Sequence, residues 1–253
     1  MPEPQFGGAS TWKNTVAAKP AAAAVPAPLP ALPAQAAPPR LGEDAVQDLL
    51  RRLTRPGSEL EGHIRDLVAR GLTAEQVCLE LFAPAARRLG VMWEEDSCSF
   101  VEVTLGVSRL QQLTHGLGDL LRGHVEAGSR GRALVGTVPG EQHTFGITMV
   151  AEFLRRDGWE VVLAPTHGTI GEFTTRAEAD WFDLVAVSVA NDRSEAVLRR
   201  LLSELRNRGR NRKLKAIIGG RLVNTRESIV AKVGADGWAA DARKAAQLAE
   251  RLM

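Results

Sequence analysis

Cysteine is scarce in this chain. Among 253 residues there are two, Cys78 and Cys98, far apart and in no metal-ligand spacing. That usage suits a reducing compartment and argues against a disulfide-built secreted scaffold. Charge of one sign is lacking too: 32 Lys and Arg face 30 Asp and Glu, a net +2. Global electrostatics therefore gives no ground for nucleic-acid binding. No apolar run approaches the ~20 residues that span a bilayer. The N-terminus has no basic region followed by an apolar one, so no signal peptide is expected. The expectation is a soluble, cytoplasmic protein with no membrane partner.

What is present is a core-forming composition, 44% hydrophobic, in a chain long enough for two domains or one large one. Residues 1–42 are set apart. Nine of the thirteen prolines and a dozen alanines fall there, as in Ala21-Ala22-Ala23-Ala24-Val25-Pro26. Proline lacks an N–H and biases its predecessor away from helix, so this tail reads as an extended linker. A partner-recognition arm using Phe6 and Trp12 is the alternative.

Residues 43–125 read as a bundle of four helices. Val46, Leu49, Leu50 and Leu53 share one face before Pro56-Gly57, and Leu60, Ile64, Leu67 and Val68 share another before Gly71. Thr73-Ala74-Glu75-Gln76 has the form of a capping box and opens a third helix through Val77, Leu81 and Leu89. A fourth, from about Ser99 to Arg122, offers Leu105, Leu110, Leu113, Leu117, Leu120 and Leu121 to the core.

After a polar hinge at 126–132, strands and helices alternate. Strands are expected near 133–138, 160–164, 184–189 and 214–218, with a short one at 237–239. Helices are expected at 146–157, 170–179, 193–208, 223–232 and 241–252. Apolar strands alternating with helices make a parallel, doubly wound, Rossmann-like (flavodoxin-like) sheet over 132–253. The first apolar run ends in Glu141-Gln142-His143-Thr144-Phe145-Gly146. Forty-one residues separate Gly146 from Ser188 at the end of another run, and 28 separate Ala190 from Gly219-Gly220 at the end of a third. Ligands of open parallel sheets bind at such strand ends.

Glu141-x-His143-x-x-Gly146, Ser188-Val189-Ala190 and Gly219-Gly220 resemble the signature of the cobalamin-binding domain: Asp-x-His-x-x-Gly, Ser-x-Leu and Gly-Gly. Glu stands for Asp, and Ala190 for the usual Leu. The resemblance implies that His143 bonds cobalt as the lower axial ligand, displacing the cofactor's benzimidazole. Glu141 would hold the other ring nitrogen, more loosely or through water because of its extra methylene. Gly146 would let the nucleotide tail pass, Ser188 would hydrogen-bond the benzimidazole, and Gly219-Gly220 would leave it room. His167 reads as an ordinary loop residue rather than a corrin-rim contact.

Gly90-Val91-Met92-Trp93-Glu94-Glu95-Asp96 resembles the Gly-x-x-Trp-x-x-Gly segment of methionine-synthase-type and light-sensing cobalamin proteins. There the tryptophan shields the upper corrin face, a role this resemblance gives to Trp93. The Glu-His that usually follows by ten and eleven residues is replaced by Val103 and Thr104, with Glu102 one place earlier and Glu94 beside Trp93. A histidine ligand from the helices would have to be His63, His115 or His124. The implied cofactor-binding set is Trp93, Glu141, His143, Thr144, Gly146, Ser188, Gly219 and Gly220.

The stretches Met92 to Thr104, Arg109-Leu110-Gln111 and Val138 to Gly146 look like the AerR/PpaA antirepressors of purple photosynthetic bacteria, a resemblance covering 43–253. It implies binding of adenosyl- or hydroxo-cobalamin, with haem as the alternative. It also implies antagonism of a CrtJ/PpsR-type repressor of photosynthesis genes in response to light, with promoter DNA contacted through or alongside that repressor. No catalytic barrel accompanies the motif, so the expected role is regulatory, not enzymatic. A corrinoid methyl-carrier, a haem-based redox sensor and a stand-alone DNA-binding regulator are the other classes. The basic run Arg199, Arg200, Arg206, Arg208, Arg210, Arg212, Lys213 and Lys215 lacks aromatics and is interrupted by Glu195 and Glu204. It reads as a solvated face rather than a phosphate-binding one.

Overall fold

In the computed structural model, residues 41–55, 57–122, 130–165 and 168–253 are described. Phe6, Trp12, His124, His167 and most of the 126–132 hinge lie outside them. Helix α1 (Glu43–Thr54) buries Val46, Leu49, Leu50 and Leu53, the stripe its spacing predicts. Its C-terminal carbonyls are held by Arg109, whose Nη1 lies 2.7 Å from the Leu53 oxygen and 2.6 Å from that of Arg55. Helix α2 (Leu60–Ala69) buries Leu60, Ile64 and Leu67.

The third expected helix is three consecutive segments: α3 (Ala74–Gln76), a π-helical turn Val77–Phe82, and α4 (Ala83–Glu94). Its capping box is present in both directions, Gln76 N to Thr73 Oγ1 at 3.1 Å and Thr73 N to Gln76 Oε1 at 3.0 Å. The chain leaves α4 through Asp96, whose φ of 53° is left-handed, a conformation aspartate tolerates better than most residues. Helix α5 (Phe100–Arg122) then begins. Leu110, Leu113, Leu117 and Leu121 are buried in it, but Leu120 is 47% exposed, against expectation. It precedes Leu121 by one residue, about 100° around the helix, which turns it off the stripe.

The remaining elements alternate: β1 (Gly131–Thr137), α6 (Phe145–Arg156), β2 (Trp159–Leu163), α7 (Ile170–Ala179), β3 (Leu184–Ser188), α8 (Glu195–Arg208), β4 (Lys215–Gly219), α9 (Arg221–Thr225), α10 (Ile229–Val233), β5 (Gly237–Ala239) and α11 (Ala242–Leu252). Gly131 and Arg132, expected in the hinge, pair with Trp159 and Glu160 as the start of β1. The helix expected at 223–232 is two short ones, broken between Thr225 and Ile229. All strands are parallel, in the order β2-β1-β3-β4-β5, which is the flavodoxin-like order.

Burial alternates along the strands. Ala133, Val135, Leu184, Ala186 and Ile217 join one cluster; Leu134, Val185, Val187 and Ile218 join the other. The first cluster takes in Phe153 of α6 and Ala245 and Ala249 of α11, and continues through Leu110 of α5 to Leu81, Phe82 and Leu49. The second takes in Phe173, Leu198, Leu201, Leu205 and Ile229. The N-terminal helices thus share a core with the α6–α11 face of the sheet. Among the described residues no helix is long and apolar enough to cross a membrane.

Candidate functional site

Parallel register sets the ends of four strands, β1, β3, β4 and β5, side by side. Thr137 pairs with Ser188, Ser188 with Gly219, and Gly219 with Ala239. The two loops after β1 and β3 lead to helices on opposite faces, α6 in one buried cluster and α8 in the other. The gap between β1 and β3 is therefore the switch point where doubly wound sheets hold ligands. Glu141, His143 and Thr144 lie in the first loop, Ser188 at the foot of the second, and Gly219 and Gly220 at the third.

Glu141 is buried and His143 exposed; their side chains are 5% and 79% accessible. Glu141 Oε1 lies 2.5 Å from His143 Nδ1 and accepts the Gln142 and His143 amides at 3.0 and 3.2 Å. Oε2 accepts the Ala190 amide, beyond β3, at 3.1 Å. Burial works to raise the Glu141 carboxyl, but the hydrogen bonds from the His143 ring, the His143 amide and the Ala190 amide outweigh it and hold the pKa below its ordinary value. An ionised carboxylate only accepts, so Nδ1 is the donor and the neutral ring presents a lone pair on Nε2. The extra methylene of Glu over Asp does not loosen this contact. It lets one carboxylate span from the imidazole to the loop of the neighbouring strand.

The glycines differ in what demands them. Gly220 has φ +106°, and a Cβ there would stand 2.4 Å from the Val189 oxygen; at Gly219 it would meet the Ala239 oxygen at 2.9 Å. Both are required by the backbone itself. At Gly146, in the first turn of α6, a Cβ would meet nothing within 4 Å. The fold does not need glycine there, and the surface beside His143 is left bare.

Trp93 sits in the last turn of α4, 47% exposed, with Phe100 edge-on at a ring separation of 6.0 Å. Phe100 and Val101 are more exposed still. Glu94, next to Trp93, pairs with Arg221, next to Gly220, at 3.0 Å. That pair sets the aromatic joint beside the third loop of the sheet edge. Glu102 is committed to a capping box, accepting from Ser99 N and Oγ at 2.8 Å each. His63 lies 3.9 Å from Asp48 and His115 3.2 Å from Glu152, so neither belongs to the joint.

Two polar contacts escape sequence reading. Gln111 Nε2 of α5 donates to Thr144 Oγ1 at 2.7 Å; Gln111 falls in a stretch that carries the family resemblance, but nothing there points to Thr144. The Ala190 amide carries no side-chain signal at all. In the basic run, Arg200 pairs with Glu204, Arg206 and Lys215 with Asp236, and Arg208 with Glu178. Carboxylates thus neutralise much of it.

Among the described residues no group of three or more His, Cys, Asp and Glu comes together to hold a bare ion. One exposed imidazole nitrogen, oriented from behind, is what a metal already held in the plane of a macrocycle requires. The donor set therefore fits a corrin-bound cobalt.

The B12 binding domain family matches residues 131–247. An uncharacterized 20.5 kDa protein in the bchF-crtJ intergenic region of Rhodobacter capsulatus is 36% identical over 170 residues, 64% of this chain and 84% of that one. A corrinoid protein of Desulfitobacterium hafniense is 22% identical, covering 83% of this chain and 93% of its own length. The Methanosarcina barkeri monomethylamine corrinoid protein has a similar structure, with a TM-score of 0.71 at 16% identity over 83% of this chain and 97% of that one. With the motif, the fold and these likenesses together, the chain belongs to the AerR/PpaA family of B12-binding-domain proteins.

Proposed function

We propose that this protein binds cobalamin through His143 and acts as a light-responsive antirepressor of a CrtJ/PpsR-type repressor of photosynthesis genes. The carrying observation is the Glu141–His143 pair, which leaves a single oriented Nε2 exposed at the sheet edge. The relative in the bchF-crtJ intergenic region supports the regulatory half of the reading. Cobalamin supplies a cobalt centre whose bond to an upper alkyl ligand is broken by visible light. Glu141 fixes the ring of His143; with cobalamin bound, Gly146 and Gly219-Gly220 would leave room for it beside that ring, and Trp93 would shield it from the helical side. A change in the bound group at Trp93 would move the α4–α5 joint, and with it the surface offered to the repressor. A tenfold change in repressor affinity needs only about 1.4 kcal/mol of differential binding.

The test is an absorption spectrum of the cobalamin-loaded protein before and after illumination, paired with retention of the repressor in both states. A light-induced spectral change with altered retention supports the reading. An unchanged spectrum removes its photochemical half, and equal retention removes the antirepressor half.

A methyl-carrier role is the second reading, favoured by the corrinoid protein matched over 83% of this chain. Turnover of methyl-cobalamin with a partner methyltransferase would establish it. A haem-based sensor ranks lower and would show a Soret band and no cobalt.

A further inference from the structure

Thr144 stands at the N-cap of α6, yet its side chain caps nothing: its φ and ψ are −94° and −16°, and no amide of the helix donates to it. A threonine at this position ordinarily accepts an N–H of the first turn. Here the hydroxyl accepts from Gln111 Nε2 instead, at 2.7 Å, across 33 residues of sequence and from a different helix. The Thr144 carbonyl is already inside α6, accepting Thr148 N at 3.0 Å and Thr148 Oγ1 at 3.1 Å. So the residue directly after His143 is fixed to α6 by its backbone and to α5 by its side chain.

His143 has one side-chain anchor of its own, Glu141, and that anchor is tied to the sheet through the Ala190 amide. Gln111 supplies the second hold, and it comes from the helical segment. One turn further along α5, His115 Nδ1 lies 3.2 Å from Glu152 Oε1 of α6. Glu152 is buried and also binds Arg155 at 2.8 Å. Two polar contacts spaced four residues apart on α5 thus set the register of that helix against α6.

We propose that Gln111 is a positioning residue for His143: by holding Thr144 it makes the placement of the axial imidazole depend on where α5 sits. Resting on the assignment of His143 as cobalt ligand, this gives the helical segment a mechanical hold on the lower ligand. The same segment reaches the opposite loop through Glu94 and Arg221. A displacement of the α4–α5 joint is then felt at His143, and loading at His143 is felt at the joint.

The test compares parent protein with Gln111→Met, Thr144→Val, their double variant and Thr144→Ser, using His143→Ala as reference. In the cofactor-free protein, the His143 ring resonances are compared at one fixed pH by NMR. Gln111→Met and Thr144→Val are expected to displace those resonances alike, and Thr144→Ser to leave them as in the parent. In titrations with hydroxocobalamin, each single variant is expected to weaken binding about three- to tenfold, below the 10–100-fold typical of a ligand's direct partner. The double variant should be no worse than either single one. The proposal is overturned if Gln111→Met leaves the His143 ring resonances unchanged, or if the two losses multiply in the double variant. Equal cobalamin binding by His143→Ala and the parent would remove the ligand assignment instead, while the cofactor-free resonances would still decide whether Gln111 positions the ring.

Discussion

Glu141 Oε1 lies 2.5 Å from His143 Nδ1, and the same carboxylate reaches across to the Ala190 amide with its other oxygen at 3.1 Å. One side chain therefore ties the β1 loop to the β3 loop and aims the imidazole outward. Glu141→Ala should weaken cobalamin binding by about 10–100-fold, the range for a carboxylate behind a metal-bound histidine. Glu141→Gln, which keeps an acceptor, should lose less. A titration with hydroxocobalamin checks both; equal affinities in all three proteins would refute the role.

Acid should weaken the same contact. The Glu141 carboxyl is held below its ordinary value of 4.5. A depressed carboxylate stabilises the fold fully above its unfolded value and loses that contribution as pH falls through the folded one. The stability difference between parent and Glu141→Gln should be large at neutral pH and narrow steadily below pH 4.5. Denaturant unfolding of the cofactor-free proteins across pH measures it. A constant difference would show that ionisation of Glu141 is irrelevant.

Gly146 and Gly220 should separate binding from folding. Gly220→Ala places a methyl 2.4 Å from the Val189 oxygen at φ +106°, and backbone strain of this kind costs on the order of 1–3 kcal/mol. Gly146→Ala meets nothing and, inside a helix, should be neutral or stabilising by up to about 1 kcal/mol. Yet it should reduce cobalamin affinity, because on the proposed reading a displaced nucleotide tail would pass the bare surface beside His143. Thermal melts and cobalamin titrations on both variants test the contrast.

Trp93 should matter little to folding. At 47% exposure, with Phe100 as its ring partner, its truncation to alanine should cost under about 1.5 kcal/mol, the scale of one aromatic pair. The same change should weaken retention of cobalamin. Cobalamin held as tightly by Trp93→Ala as by the parent would take Trp93 out of the site.

The sheet and its order of elements were legible because strands buried on both faces appear as apolar runs, and because the Glu-x-His, Ser and Gly-Gly stand where three such runs end. The sequence does not mark what depends on partners far along the chain. Nothing local announces that the Ala190 amide completes the Glu141 cage, or that the Thr144 hydroxyl turns from its own helix to Gln111. The π-helical turn at Val77–Phe82 has an ordinary helical pattern. Leu120 fits the stripe by composition and misses it by one position. Glu102 looks free to approach a ligand until its own capping box with Ser99 is seen.

The most direct measurement is hydroxocobalamin binding by His143→Ala against the parent, read as dissociation constant and absorption spectrum together. The expected result is weaker binding and loss of the parent's histidine-ligated spectrum, with a lowered but still cooperative melt of the cofactor-free protein, because the exposed ring is also the partner of the buried Glu141 carboxylate. Equal affinity with an identical spectrum would contradict the assignment of His143 as the cobalt ligand.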